Sequence, residues 1–195
     1  MPGAETVVID TTVGAVAEAL NDATKTEVKV EGDGWNMVLP KEIIKDATGA
    51  VSLGAKTLSQ AEIDALPQTV KEKVAGKAVF NLSLSDSNGK VTFAGKNVTV
   101  TLPYVLKDGE SASDVKVFYI DDSNVVHEVV ATYDANAKNV TFSTDHFSTW
   151  YIDASSSGSS SSGGGSSIGL IIGIVVAVVV VAAVVGVVVV KKKKA

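Results

Sequence analysis

The chain has 195 residues, a net charge of −5, no cysteine and no arginine. Its fold therefore rests on an apolar core without disulfide staples, and no guanidinium is present to clamp a carboxylate or phosphate in two places. The first 154 residues carry 13 lysines against 22 acidic residues, net −9, which excludes nucleic acid as a natural partner.

In chain order, TVVID reads as a short strand. TTVGAVAEALNDATK reads as an amphipathic helix with Val13, Val16, Ala17 and Leu20 on one face. Residues 1–25 are thus an N-terminal strand and helix, compatible with the end of an upstream domain. TEVKVEGDGWNMVLP predicts a hairpin, Val28 and Val30 pairing with Met37 and Leu39 around Gly-Asp-Gly. PKEIIKDATG predicts a brief helix with Pro40 in its first turn and Gly49 past its end. VSLGAKTL is a strand, and SQAEIDAL opens on a capping box, Ser59 with Glu62 three residues later.

Strands then dominate. AVFNLSLSDSNGKVTF alternates apolar and polar residues and turns at Asn88-Gly89. NVTVTLPY, VKVFYIDDSNVVHEVV and NVTFSTDHFSTWYID follow, with turn residues about every dozen positions. The expected fold is mainly β: an antiparallel β-sandwich over 26–153 with a few short helices, followed by a C-terminal transmembrane helix.

Val98 to Ile152, with its LPY strand, its VKVFYIDD strand and the closing V-T-F-x-T-x-H-F-S-x-W, resembles a module found near the C-termini of bacterial and archaeal cell-surface proteins. VSLGAKTLSQAEIDALP also matches that module, so the resemblance covers roughly 26–153. The closing pattern is shared with ZU5-like domains. The resemblance implies a β-sandwich serving as a stalk or membrane-proximal unit. It also implies a possible chemistry, because in some ZU5-like proteins an HFS triplet breaks its own backbone. Here that triplet is His146-Phe147-Ser148. Ser148 Oγ would attack the Phe147 carbonyl, His146 would take the proton, and water would cleave the resulting ester. The plainer reading is that the triplet ends a strand, Phe147 fills the core and His146 bonds locally.

Other chemistry finds little support. His127 and His146 are the only histidines, and there is no DxDxDG loop, G-x-S-x-G elbow or glycine-rich phosphate loop. No metal or cofactor is expected, and Asp121 and Asp122 read as turn residues. Three N-glycosylation sequons begin at Asn81, Asn97 and Asn139, each in an expected strand with the asparagine on the polar side. No LPxTG or PGF sorting signal is present, so the span is expected to be retained.

Residues 154–167 form a Ser/Gly linker, a flexible coil whose Ser/Gly run reaches about 20 Å. From Ile168 to Val190 every residue is Ile, Val, Leu, Ala or Gly. As a helix this run extends about 34 Å, enough to cross a hydrocarbon core of about 30 Å. Lys191, Lys192, Lys193 and Lys194 then orient it with the tail 191–195 in the cytoplasm and the sandwich outside. The opening MPGAETVVIDTTVGAVAEAL is not a signal peptide, so two resolutions stand. Either the chain belongs to a longer exported precursor or has a misassigned start, or it is a cytoplasmic tail-anchored protein; the lysines favour export. Gly169 and Gly173 would allow a close helix pair.

The expected role is a structural, membrane-anchored extracellular module of a prokaryotic surface protein, archaeal before bacterial, with the bilayer and neighbouring surface proteins or glycans as partners. The alternatives are self-cleavage between Phe147 and Ser148, and an adhesin that itself binds a glycan or protein.

Overall fold

The computed structural model describes residues 6–10, 18, 20–45, 47, 49–155 and 187–191. Alternating apolar and polar residues build two sheets whose apolar sides meet. The first has the order β1 (Thr6–Asp10), β4 (Ala50–Thr57), β5 (Ala78–Asp86), β12 (Thr149–Asp153), β8 (Lys116–Ile120) and β9 (Val126–Val129), with β6 (Gly89–Lys90) also on β5. The second runs β10 (Ala131–Asp134), β11 (Asn139–Thr144), β7 (Val98–Pro103), β3 (Asn36–Pro40), β2 (Glu27–Glu31) and β13 (Val187–Lys191). Every pairing is antiparallel except β13 with β2.

The main core lies between the sheets. Trp150 and Ile152 of β12 meet Met37 and Leu39 of β3, Leu53 of β4 and Leu102 of β7, all buried. The expected hairpin forms in the expected register, Val28 opposite Leu39 and Val30 opposite Met37. A second, smaller core lies on the outer side of the first sheet. The short helices among the described residues include α1 (Glu42–Lys45), α2 (Gln60–Asp64) and α3 (Gln68–Val74). Val70 and Val74 of α3 cover Val79, Ile120 and Tyr151, which explains why β12 is apolar on both sides. The capping box at α2 is present, with the Ser59 hydroxyl accepting from the Glu62 amide and the Glu62 carboxylate accepting from the Ser59 amide.

Strand directions fix where the chain joins this body. β1 opposes β4, β4 opposes β5, and β5 opposes β12. Three reversals point the start of β1 and the end of β12 the same way, but the registers stagger them: Thr6 is level with Gly54 and Ser83, whereas Ile152 is level with Ala78, five residues away along β5. At the end of β12 Asp153 accepts from Lys77 Nζ at 2.5 Å, and from the Ser155 amide and hydroxyl at 3.0 and 2.7 Å.

Several local expectations are corrected. Pro40 ends β3 and α1 starts at Glu42, because the Pro40 ring needs no ladder hydrogen bond at a strand terminus. The tight turn after β5 is Ser87-Asn88, not Asn88-Gly89: the Asp86 carboxylate accepts from the Asn88 amide at 2.8 Å and Gly89 opens β6 at φ 119°. β6 then lasts only two residues. Asn97 precedes β7 rather than lying in it. Strand β10 and helix α3 were not expected.

The amphipathic stretch before Leu20 lies almost wholly outside the described residues, as do 156–186 and Lys192 to Lys194. Val187–Val190, the last residues of the expected membrane helix, are extended in β13. β-Branched residues suit an open sheet edge, and a valine run is forced into a helix only inside hydrocarbon. Among the described residues no helix is long and apolar enough to cross a membrane.

Candidate functional site

The residues of interest gather where β11 turns into β12. The strand does not run through the HFS triplet: β11 stops at Thr144 and β12 begins at Thr149, leaving Asp145–Ser148 as a corner. Buried Thr144 makes that corner. Its hydroxyl donates to the His146 carbonyl at 2.8 Å, and the His146 amide lies 3.2 Å from the same oxygen.

His146 is held from two sides. Its Nδ1 sits 2.9 Å from Asp145 Oδ1, and its ring meets the edge of Tyr119 at 4.5 Å and tilts over Trp150 at 5.7 Å. His127 stacks on Tyr119 at 4.7 Å, while its Nε2 is 2.9 Å from Asp121 Oδ2. Tyr119 thus touches both histidines of the chain. The His127 hydrogen bond, helped by the Val125 amide, holds the Asp121 carboxyl below the usual carboxylate range, and His146 does the same for Asp145. Asp121 is otherwise spent on the β8–β9 turn, where Oδ1 accepts from the Ser123 and Val125 amides at 2.9 and 2.8 Å. Among the described residues no group of three or more His, Cys, Asp or Glu is placed to hold a metal ion.

Ser148 is committed to the main chain. Its hydroxyl donates to the Ile120 carbonyl at 2.6 Å, and its carbonyl accepts from the Leu82 amide at 3.2 Å. Phe147 is half-buried, its ring packing edge-on against Phe93 at 4.8 Å on the margin of the main core. Among the described residues, non-glycine residues with left-handed backbone are Ala94, Asn124 and Lys138, all outside the triplet.

Beside the corner is a half-open cleft of about 680 Å³. It exists because the nine-residue β5 outlasts its neighbour. β12 pairs with β5 from Ala78 to Asn81, and β6 pairs only with Ser85 and Asp86. In the notch between them lie Asn81, Ser83, Thr92, Asp122, Asp145 and Phe147. Asn81 and Ser83 point away from the main core, alternating with buried Phe80, Leu82 and Leu84. The sequence had marked Asn81 and Ser83 only as a sequon; nothing in its pattern joined them to Asp122 or Asp145, 41 and 64 residues further along from Asn81.

The other sequence-derived residues fall elsewhere. Asn97 is exposed ahead of β7, whereas Asn139 is half-buried and its backbone is paired on both sides, with Asp134 and Pro103. Lys191 ends β13 opposite Glu31 in register. Gly169 and Gly173 lie outside the described residues. No protein-family model matches the chain, and no curated protein matches it.

Proposed function

We propose that this chain is the membrane-proximal, outward-facing end of a single-pass surface protein, and that its work is to hold and present what it is joined to. The observation that carries this reading is the order of parts at the C-terminus. A folded sandwich ends at Asp153, a Ser/Gly tether follows, and 23 apolar residues run into four lysines. The resemblance to ZU5-like surface modules supports the same role.

A membrane span and the pairing of β13 with β2 exclude each other. With β13 docked, both ends of 168–186 return to one sandwich, so the segment cannot end on the far side of a bilayer. On this reading lipid draws the valine run into a helix and releases the β2 edge.

The absence of cysteine allows a clean test. Single-cysteine variants Ser160→Cys and Ala195→Cys are exposed to a membrane-impermeant maleimide on intact cells. Labelling at 160, and at 195 only after permeabilisation, is the expected pattern. The reverse would establish a tail-anchored protein with its bulk in the cytoplasm.

Two other readings are open. Self-cleavage between Phe147 and Ser148 would need the hydroxyl that now serves Ile120 to turn onto the Phe147 carbonyl, against the hydrogen bonds that hold this corner. Direct binding of a glycan is favoured by the cleft beside β5.

A further inference from the structure

We infer that the cleft between β5 and the Asp145–Ser148 corner is a saccharide-binding site. This deepens the glycan-binding reading and is independent of whether the chain spans a membrane.

The chemistry of the walls selects the ligand. Asp122 and Asp145 bring two carboxylates, and Asn81, Ser83 and Thr92 bring an amide and two hydroxyls. No lysine lines the cleft. Anionic ligands such as phosphates or carboxylates are therefore repelled. A polyol fits better, since its hydroxyls donate to carboxylates and exchange hydrogen bonds in both senses with Asn, Ser and Thr. Phe147 adds a half-buried aromatic surface, backed by Phe93, against which the C–H face of a pyranose can lie. A lysine side chain would use the carboxylates alone and leave the hydroxyl wall and the aromatic surface unmatched.

A second observation points the same way. Asn81-Leu82-Ser83 is a glycosylation sequon, and both its asparagine and its serine face this cleft. A sugar attached at Asn81 would emerge directly between Thr149, its cross-strand neighbour, and the acceptor-rich wall. The saccharide thus has two sources: the chain's own Asn81-linked glycan, or a glycan of a neighbouring surface molecule. The recognition chemistry is the same for both.

The cleft is half-open, so a free sugar should bind weakly, with a dissociation constant of about 1 mM. The full chain, made in a host without N-glycosylation and held in lipid nanodiscs or, if it does not insert, in buffer, is titrated with chitobiose and maltotriose to about 10 mM. Saturation-transfer NMR reads the bound sugar. Transfer to at least one of the two is expected. It should fall at least about fivefold when Ser83→Trp fills the cleft, and by a similar factor in the Asp122→Asn/Asp145→Asn pair, with the fold checked by circular dichroism. No transfer from either sugar overturns the proposal. So does transfer unchanged by Ser83→Trp, or tetralysine binding that Ser83→Trp abolishes while neither sugar binds.

The source is separated by making the same chain in a glycosylating host. If its own glycan fills the cleft, a chain occupied at Asn81 loses chitobiose binding, and enzymatic removal of the glycan restores it. If the ligand comes from outside, the chain binds chitobiose as before or Asn81 is found unmodified by mass spectrometry.

Discussion

Replacing Asp153 by alanine removes the group that closes the sandwich at the end of β12. Its carboxylate accepts from Lys77 across the β5–β12 pair and from both donors of Ser155, and the Lys77 ammonium also lies 5.0 Å from the Tyr151 ring centre. The two charged side chains are 25% and 22% exposed, so water screens the pair only in part. A fully exposed pair would contribute at most about 1 kcal/mol, whereas a hydrogen bond to a charged group contributes about 1.5–3 kcal/mol. Asp153→Ala should therefore cost about 1.5–2.5 kcal/mol, a fall of roughly 3–10 °C in Tm for a domain of this size. The pH dependence has a definite sign. Burial pushes the Asp153 carboxyl up, but Lys77 and Ser155 together outweigh it and the net shift is downward. Stability from this group is thus fully present above the unfolded carboxylate pKa of about 3.9 and is lost as pH falls through the lower folded value. Thermal unfolding followed by circular dichroism from pH 3 to pH 7, for the parent, Asp153→Ala, Lys77→Met and the double variant, checks both points. A coupling below about 0.5 kcal/mol, or a Tm gap that widens towards acid, would refute the reasoning.

Three further outcomes follow from packing and bonding. In Gly32→Ala the new methyl carbon would lie 2.1 Å from Cε2 of the buried Trp35 indole, so the β2–β3 turn must shift; a loss of about 1–3 kcal/mol in urea unfolding is expected. Trp150 is 1% exposed and stacks on Phe142 at 4.6 Å, so Trp150→Ala should cost about 3–5 kcal/mol and collapse the near-ultraviolet circular dichroism. Ser148→Ala removes the donor to the Ile120 carbonyl and should cost about 1 kcal/mol. Parent and Ser148→Ala should both run as one full-length band on a denaturing gel; a pair of fragments in the parent alone would establish self-cleavage.

The sandwich was legible because its strands alternate and its turns carry Asn, Asp and Gly at short intervals. The β2–β3 register followed directly from matching two alternating pentapeptides across one loop. What escaped the sequence was any feature made by distant parts. Trp150 and Tyr151 fall on opposite parities of β12, and only α3, arriving from 68–74, builds a second core over the Tyr151 side. The Thr144 hydroxyl breaks the strand at HFS, a side-chain-to-backbone bond that periodicity does not encode. The cleft arises from a mismatch in strand lengths, so its walls come from four separate stretches of chain. For Val187–Val190 the valine pattern suits either a helix in lipid or a strand at an edge, and the surroundings decide.

The two ends of the first sheet are gripped unequally, and this sets how a tug would travel. β1 starts level with Ser83 on β5 and β12 ends level with Ala78, so a pull on Thr6 and a pull on Asp153 enter the sheet at different heights. Among the described residues β1 is an edge strand whose one neighbour is β4, whereas β12 is clasped by β5 and β8. Under strain this domain would pay out its leading strand first and keep β12 to the last.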